Sequence, residues 1–153
     1  MKALRPILVV AVFAAVPLAA SAAKTFAGPS TWVHVVVAKP DAAQRMDVWK
    51  PGDSPAAPTL NVLVDTTTSY SEMIGAVRAN AQSGFIKIVG DKDLTCGGVA
   101  AHEFDIELDI GRKILSTQTV VASPGGATRI TYTRADGVPF AKEVQAAIDA
   151  FCS

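Results

Sequence analysis

Between Val99 and Ile110 the chain alternates with period two. Phe104, Ile106, Leu108 and Ile110 fall on one side, and Glu103, Asp105, Glu107 and Asp109 on the other. Side chains alternate across a strand, so this segment predicts a half-buried antiparallel strand. Gly111 marks a tight turn into a second strand from Lys113 to Ala122, and Ser123-Pro124-Gly125-Gly126 a turn into a third from Thr128 to Thr133. Upstream, the β-branched and aromatic run Trp32 to Lys39 predicts a strand ended by Pro40, with Trp32 and His34 on one side and Val33, Val35 and Val37 on the other. Arg45 to Lys50, Leu60 to Val64 and Phe85 to Val89 read as further short strands. Two segments change to helical spacing. Tyr70, Met73, Ile74, Val77 and Ala81 follow a capping box, Ser69-Tyr70-Ser71-Glu72, and Gly84 stands where a left-handed cap belongs. Phe140, Val144, Ala147, Ile148 and Phe151 form the apolar stripe of a closing helix, with Pro139 suited to its first turn. About seven strands and two helices, one of them interrupting the strands, predict an α+β layout with an antiparallel sheet of six to seven strands.

The first 22 residues add a location. Lys2 and Arg5 precede an apolar run from Ile7 to Val16, and Ala20-Ser21-Ala22 supplies a small-x-small ending. This predicts a secretory signal peptide over 1–22, cleaved before Ala23, because the run is shorter than the roughly 20 residues needed to span a bilayer. Residues 23–30 then read as a flexible leader and 31–153 as one domain of about 120 residues, within the usual range. Removing Lys2 and Arg5 turns a neutral chain mildly acidic, so neither nucleic acid nor an anionic membrane surface is an expected partner. No membrane anchor is expected once the signal is removed, and the expected locale is the periplasm or the medium. There, two cysteines favour a disulfide, Cys96–Cys152, over two buried thiols.

The residues Ser69 to Gln82, then Leu94-Thr95-Cys96-Gly97-Gly98-Val99-Ala100, Arg129-Ile130-Thr131-Tyr132-Thr133 and Ala146 to Cys152 together resemble the PsbP-like family. The resemblance extends from about Trp32 to Ser153. It implies an α/β/α sandwich on an antiparallel sheet, and exported or lumenal proteins that bind or stabilise other proteins. It brings no catalytic residue with it.

The candidate chemistry is sparse. Glu103, Asp105, Glu107 and Asp109 form the one candidate interaction face. Calcium takes six to eight oxygens from a curled loop, whereas same-face residues of a straight strand stand about 6.8 Å apart. No metal site is therefore expected, and Arg112, Ser116 and Gln118 on the next strand are placed to neutralise the row. His102-Glu103 lacks the second histidine of a zincin, since position 106 is Ile106, and His34 is the other histidine of the chain. Gly-x-Ser-x-Gly does not occur, and the pairs Gly97-Gly98 and Gly125-Gly126 open no helix, so neither forms a phosphate loop. No catalytic residue and no cofactor are assigned. The Pro-rich loop Pro51 to Pro58 is exposed and suited to contacts. The expectation is a small exported, non-catalytic binding or assembly module of a bacterial envelope or secretome, whose partner is another envelope or secreted protein. The alternatives are a small secreted hydrolase with a site assembled from distant residues, or a carrier of a small apolar ligand.

Overall fold

The computed structural model describes residues 24–38 and 43–153, so the expected signal peptide over 1–22 lies outside the described residues. In chain order the elements are β1 (Val33–Ala38), β2 (Gln44–Lys50), β3 (Thr59–Asp65), α1 (Tyr70–Gln82), β4 (Lys87–Cys96), β5 (Val99–Asp109), β6 (Lys113–Ser123), β7 (Gly126–Ala135) and α2 (Lys142–Cys152). The strands form one sheet in the order β1-β2-β3-β7-β6-β5-β4, and every neighbouring pair is antiparallel.

Register assigns each residue to a face. Leu60, Tyr132 and Thr117 oppose one another across β3, β7 and β6, as do Val62, Ile130 and Thr119. Leu60, Val62, Ile130 and Tyr132 pack with Val144 and Phe151 of α2. The other face carries Phe104, Ile106, Val120 and Ala127, which pack with Met73, Ile74 and Val77 of α1. Helix α1 starts where the capping box requires. Ser69 Oγ accepts from the Glu72 amide, and the Glu72 carboxylate accepts from the Ser69 amide. The Ser69 hydroxyl, followed by this amide, holds the Glu72 carboxyl below its usual pKa. Gly84 ends the helix at φ +80°, in the left-handed region where a Cβ would be strained.

This arrangement overturns the expected α+β, α/β/α-sandwich architecture. The fold is dominated by its sheet: strands account for 49% and helices for 19% of the described residues. A helix of 11 or 13 residues is roughly 16 to 20 Å long, while seven strands spaced about 4.8 Å apart span roughly 29 Å. Neither helix can layer the sheet. Helix α1 lies over β4, β6 and β7 and leaves the β1–β2–β3 flank of its face open.

Other expectations shift by a few residues. Strand β4 runs from Lys87 to Cys96 instead of Phe85 to Val89, with a register shift between Ile88 and Gly90. Pro139 and Phe140 precede α2, which begins at Lys142. The segment 24–30 is tied down. Phe26 is buried 5.6 Å from the Trp49 ring centroid and 5.5 Å from that of Phe151, and Lys24 Nζ donates to the carbonyls of Phe151 and Ser153. An aromatic ring lodged between two others is no flexible leader.

Candidate functional site

Cys96 and Cys152 are bonded, with their α-carbons 4.2 Å apart. The bond joins the end of β4 to the end of α2, and the Gly97 amide donates to the Cys152 carbonyl beside it. Among the described residues, no helix is long and apolar enough to cross a membrane.

The acidic row is neutralised by its neighbours, though not by the expected ones. Lys92 Nζ lies 2.8 Å from Glu103, Lys113 Nζ lies 2.9 Å from Glu107, and the Thr117 hydroxyl donates to Asp105 at 2.9 Å. Asp109 accepts from the Gly111 amide. Ser116 and Gln118 oppose Ile106 and Phe104, so they lie on the other face of the sheet. A hydrogen bond from Lys113 keeps the Glu107 carboxyl below its usual pKa, and the bond to Glu103 raises that of Lys92. No group of three histidines, cysteines or carboxylates among the described residues is arranged to hold a metal ion.

Both histidines sit beside carboxylates that sequence spacing did not single out. His102 is buried on the α1 face, with Nδ1 2.8 Å from Asp93 and Nε2 2.6 Å from Asp91. Arg78 of α1 reaches the same Asp91 at 3.1 Å and lies over the Phe104 ring. The Arg78 hydrogen bond, followed by that of His102, holds the Asp91 carboxyl below its usual pKa. With both ring nitrogens engaged, His102 has none left to bind a metal or take a proton from a substrate. It ties β5 to β4 and, through Asp91, to α1.

His34 differs. Its Nε2 is 2.8 Å from Asp47, its ring stacks on Trp49 with centroids 4.4 Å apart, and it remains largely exposed. Arg45 donates to both oxygens of Asp47, at 2.8 and 3.0 Å. Burial pushes the Asp47 carboxyl up, but Arg45 and His34 together hold it below its usual value. An aspartate fixing one imidazole nitrogen while the ring faces solvent is half of a general-base arrangement. The opposing positions are Trp49 on β2 and, diagonally, Asp47, whose carboxylate is already taken up by His34 and Arg45, so no hydroxyl or thiol faces the ring across the β1–β2 pair.

Clefts lie elsewhere. One of about 150 Å³ sits where the Pro51–Pro58 loop meets the sheet, lined by Pro55, Ala57, Thr59, Arg112 and Thr133. Another, of about 350 Å³, opens at the strand ends between Phe85, Lys87, Leu108 and Lys113. Neither is lined by a histidine.

The remaining feature is the open flank. Val33, Val35 and Val37 on β1 are 54%, 53% and 46% exposed on the α1 face, beside the half-buried Met46, Val48 and Leu63. Next to Leu63 stands Arg129, whose Nε is buried without a hydrogen-bond partner, and the same holds for Gln118 Oε1 on the neighbouring strand. Burial lowers the pKa of the Arg129 guanidinium, yet it carries its charge at any ordinary pH.

No family model matches the chain, and no curated protein matches it. Its fold is similar to that of a crystal structure of a protein of unknown function from Pseudomonas aeruginosa, described as a candidate regulator. The two superpose with a TM-score of 0.52 at 20% identity, over 64% of this chain and 75% of the other. At that identity the likeness concerns the fold alone.

Sequence reading missed Arg45, Asp47, Arg78, Asp91 and Asp93. Asp47 was legible only as an alternate strand position two residues from Trp49, and its meeting with His34 needs the β1–β2 register.

Proposed function

We infer that this chain is an exported, non-catalytic binding or assembly module that holds another envelope or secreted protein on the open flank of its sheet. The observation that carries this reading is the flank itself: Val33, Val35 and Val37 about half exposed, next to a buried Arg129 Nε that lacks an acceptor. Contiguous exposed apolar surface marks contact sites, and a desolvated donor left unpaired costs about 1 to 3 kcal/mol until something satisfies it. The fitting partner is a protein surface that is apolar and brings a carboxylate to Arg129. Export is part of the proposal; the signal-like first 22 residues and the Cys96–Cys152 bond support it. Kinship with PsbP-like proteins belongs to the same proposal and rests on the sequence motifs.

A photo-crosslinking residue at Met46 or Leu63, introduced in the exporting cell, tests this. Adducts with one protein are expected from those sites and not from Asp149 on α2, and Arg129→Gln is expected to weaken them. Equal crosslinking from Asp149 refutes the assignment. His34 favours a second reading, a small hydrolase using the His34–Asp47 pair. An esterase, peptidase and glycosidase screen decides it, through any activity lost in His34→Ala.

A further inference from the structure

The two edges of the sheet are built differently. At one end, β4 carries Lys87, Asp91, Lys92 and Asp93 and an irregularity between Ile88 and Gly90. Charges and bulges of this kind stop an edge from pairing with another strand. At the other end, β1 reads Val-His-Val-Val-Val-Ala, with no Lys, Arg, Asp, Glu or Pro and an unbroken register to β2. Among the described residues, no strand meets its outer row of main-chain groups.

We propose that β1 pairs with β1 of a second copy of this chain, antiparallel about a two-fold axis at Val35, to give a dimer with a continuous sheet of two such halves. That register places Val35 against Val35, and Val33 against the second copy's Val37, all on the α1 face. On the other face His34 meets the second copy's Val36. No charged side chain stands opposite another, whereas like charges directly opposed across a strand pair are destabilising. The imidazole of His34 does not obstruct the edge, because it stacks back over Trp49 of β2 and is held there by Asp47. Valine on valine across antiparallel strands is a favourable pairing, and the main-chain bonds add specificity to it. The pairing closes on itself. It uses the open edge of each copy and leaves only the two defended β4 edges outermost, so association stops at two instead of running on into a filament.

This inference does not depend on a heterologous partner. The dimer sets two open flanks side by side, and the flank remains available if the dimer does not form. Sedimentation equilibrium of the protein recovered after export tests it. A reversible dimer is expected, insensitive to salt because no charges meet. Val35→Lys puts two ammonium groups at the two-fold axis and is expected to give a monomer with an unchanged circular dichroism spectrum, since Val35 is about half exposed. Val35→Thr is expected to stay dimeric, and so is Leu94→Lys on β4. A second arm is independent of any loss of folding. Val35→Cys is expected to form a disulfide-linked dimer, because directly opposed α-carbons stand about 4.5 to 5.5 Å apart, within bonding range. Val33→Cys alone is expected to stay unlinked, and a mixture of Val33→Cys and Val37→Cys chains to link. A monomeric wild type, a dimer surviving in Val35→Lys, or Val33→Cys linking as readily as Val35→Cys would each overturn the proposal.

Discussion

Asp65 ends β3 and starts the turn into α1. It is 2% exposed, and five donors converge on its carboxylate. Thr67 gives its amide and hydroxyl, both at 2.8 Å; Thr68 gives its amide at 3.0 Å and its hydroxyl at 2.8 Å; Gln44 Nε2 arrives at 2.7 Å. Burial alone would raise the pKa of such a group, but the Thr67 and Thr68 donors overcome it and hold the carboxyl far below the usual range. Asp65→Asn keeps the shape, removes the charge and turns one acceptor into a donor facing Gln44 and Thr68. Hydrogen bonds to charged groups contribute about 1.5 to 3 kcal/mol and neutral ones about 1, so the loss at neutral pH is expected to be about 2 to 3 kcal/mol. At roughly 4 °C per kcal/mol for a domain of this size, Tm falls by about 8 to 12 °C. The sign of the pH dependence follows from the depressed folded pKa. The stabilisation is fully present above the unfolded value near 3.9, and is lost at about 1.4 kcal/mol per pH unit as pH falls toward the folded value. Urea unfolding of wild type and Asp65→Asn, disulfide intact, at neutral pH and about one and a half units below 3.9 should therefore show the gap shrinking by roughly 2 kcal/mol. A gap that stays constant with pH, or one below about half a kcal/mol at neutral pH, would refute the reasoning.

Cys96→Ser with Cys152→Ser is expected to lower stability by roughly 4 kcal/mol, from the entropy of a closed loop with separation 56, measured by denaturant midpoint. Phe151→Ala, which removes a buried ring packed on Phe26, should cost about 3 to 5 kcal/mol in the same assay. Gly126→Ala would set a Cβ 2.0 Å from the Asp65 carbonyl oxygen, so the β3–β7 pairing must shift, at roughly 3 kcal/mol or more; unchanged thermal unfolding would contradict that contact. Calcium titration by calorimetry should show nothing tighter than millimolar at Glu103, Asp105, Glu107 and Asp109, because Lys92 and Lys113 already hold two of the four.

Legibility followed how local the determining contact was. Helix α1 was readable because its start depends on Ser69 and Glu72, three residues apart. Strand β5 was readable because one face of it is apolar. The extension of β4 to Cys96 was not, because most of its side chains are exposed and an edge strand needs no apolar alternation. The neutralising partners of the acidic row came out one position wrong: Thr117 and Lys113 serve, not Ser116, Gln118 and Arg112. Which residue opposes which is set by the turn at Gly111, and a slip of one residue exchanges the faces. The ties of His34 to Asp47 and of His102 to Asp91 and Asp93 cross between strands at separations of 9 to 13 residues, and depend on register in the same way. Layering was misjudged because helix count says nothing of sheet width; seven strands outgrow two short helices.

The bond between Cys96 and Cys152 also has a place in time. Synthesis runs from the N-terminus, so the first thiol emerges 56 residues before its partner, and β5, β6, β7 and α2 must all be made in the interval. The β1–β2–β3 meander and the β4–β5 hairpin can therefore form before any covalent help exists, and β6 and β7 then join the two. What the bond adds comes last, locking the end of α2 onto a hairpin already in place. An interaction absent while the sheet forms slows escape from the finished state and leaves the approach to it unchanged. Loss of either thiol is thus felt as a shorter lifetime of the folded protein, with its rate of folding little changed.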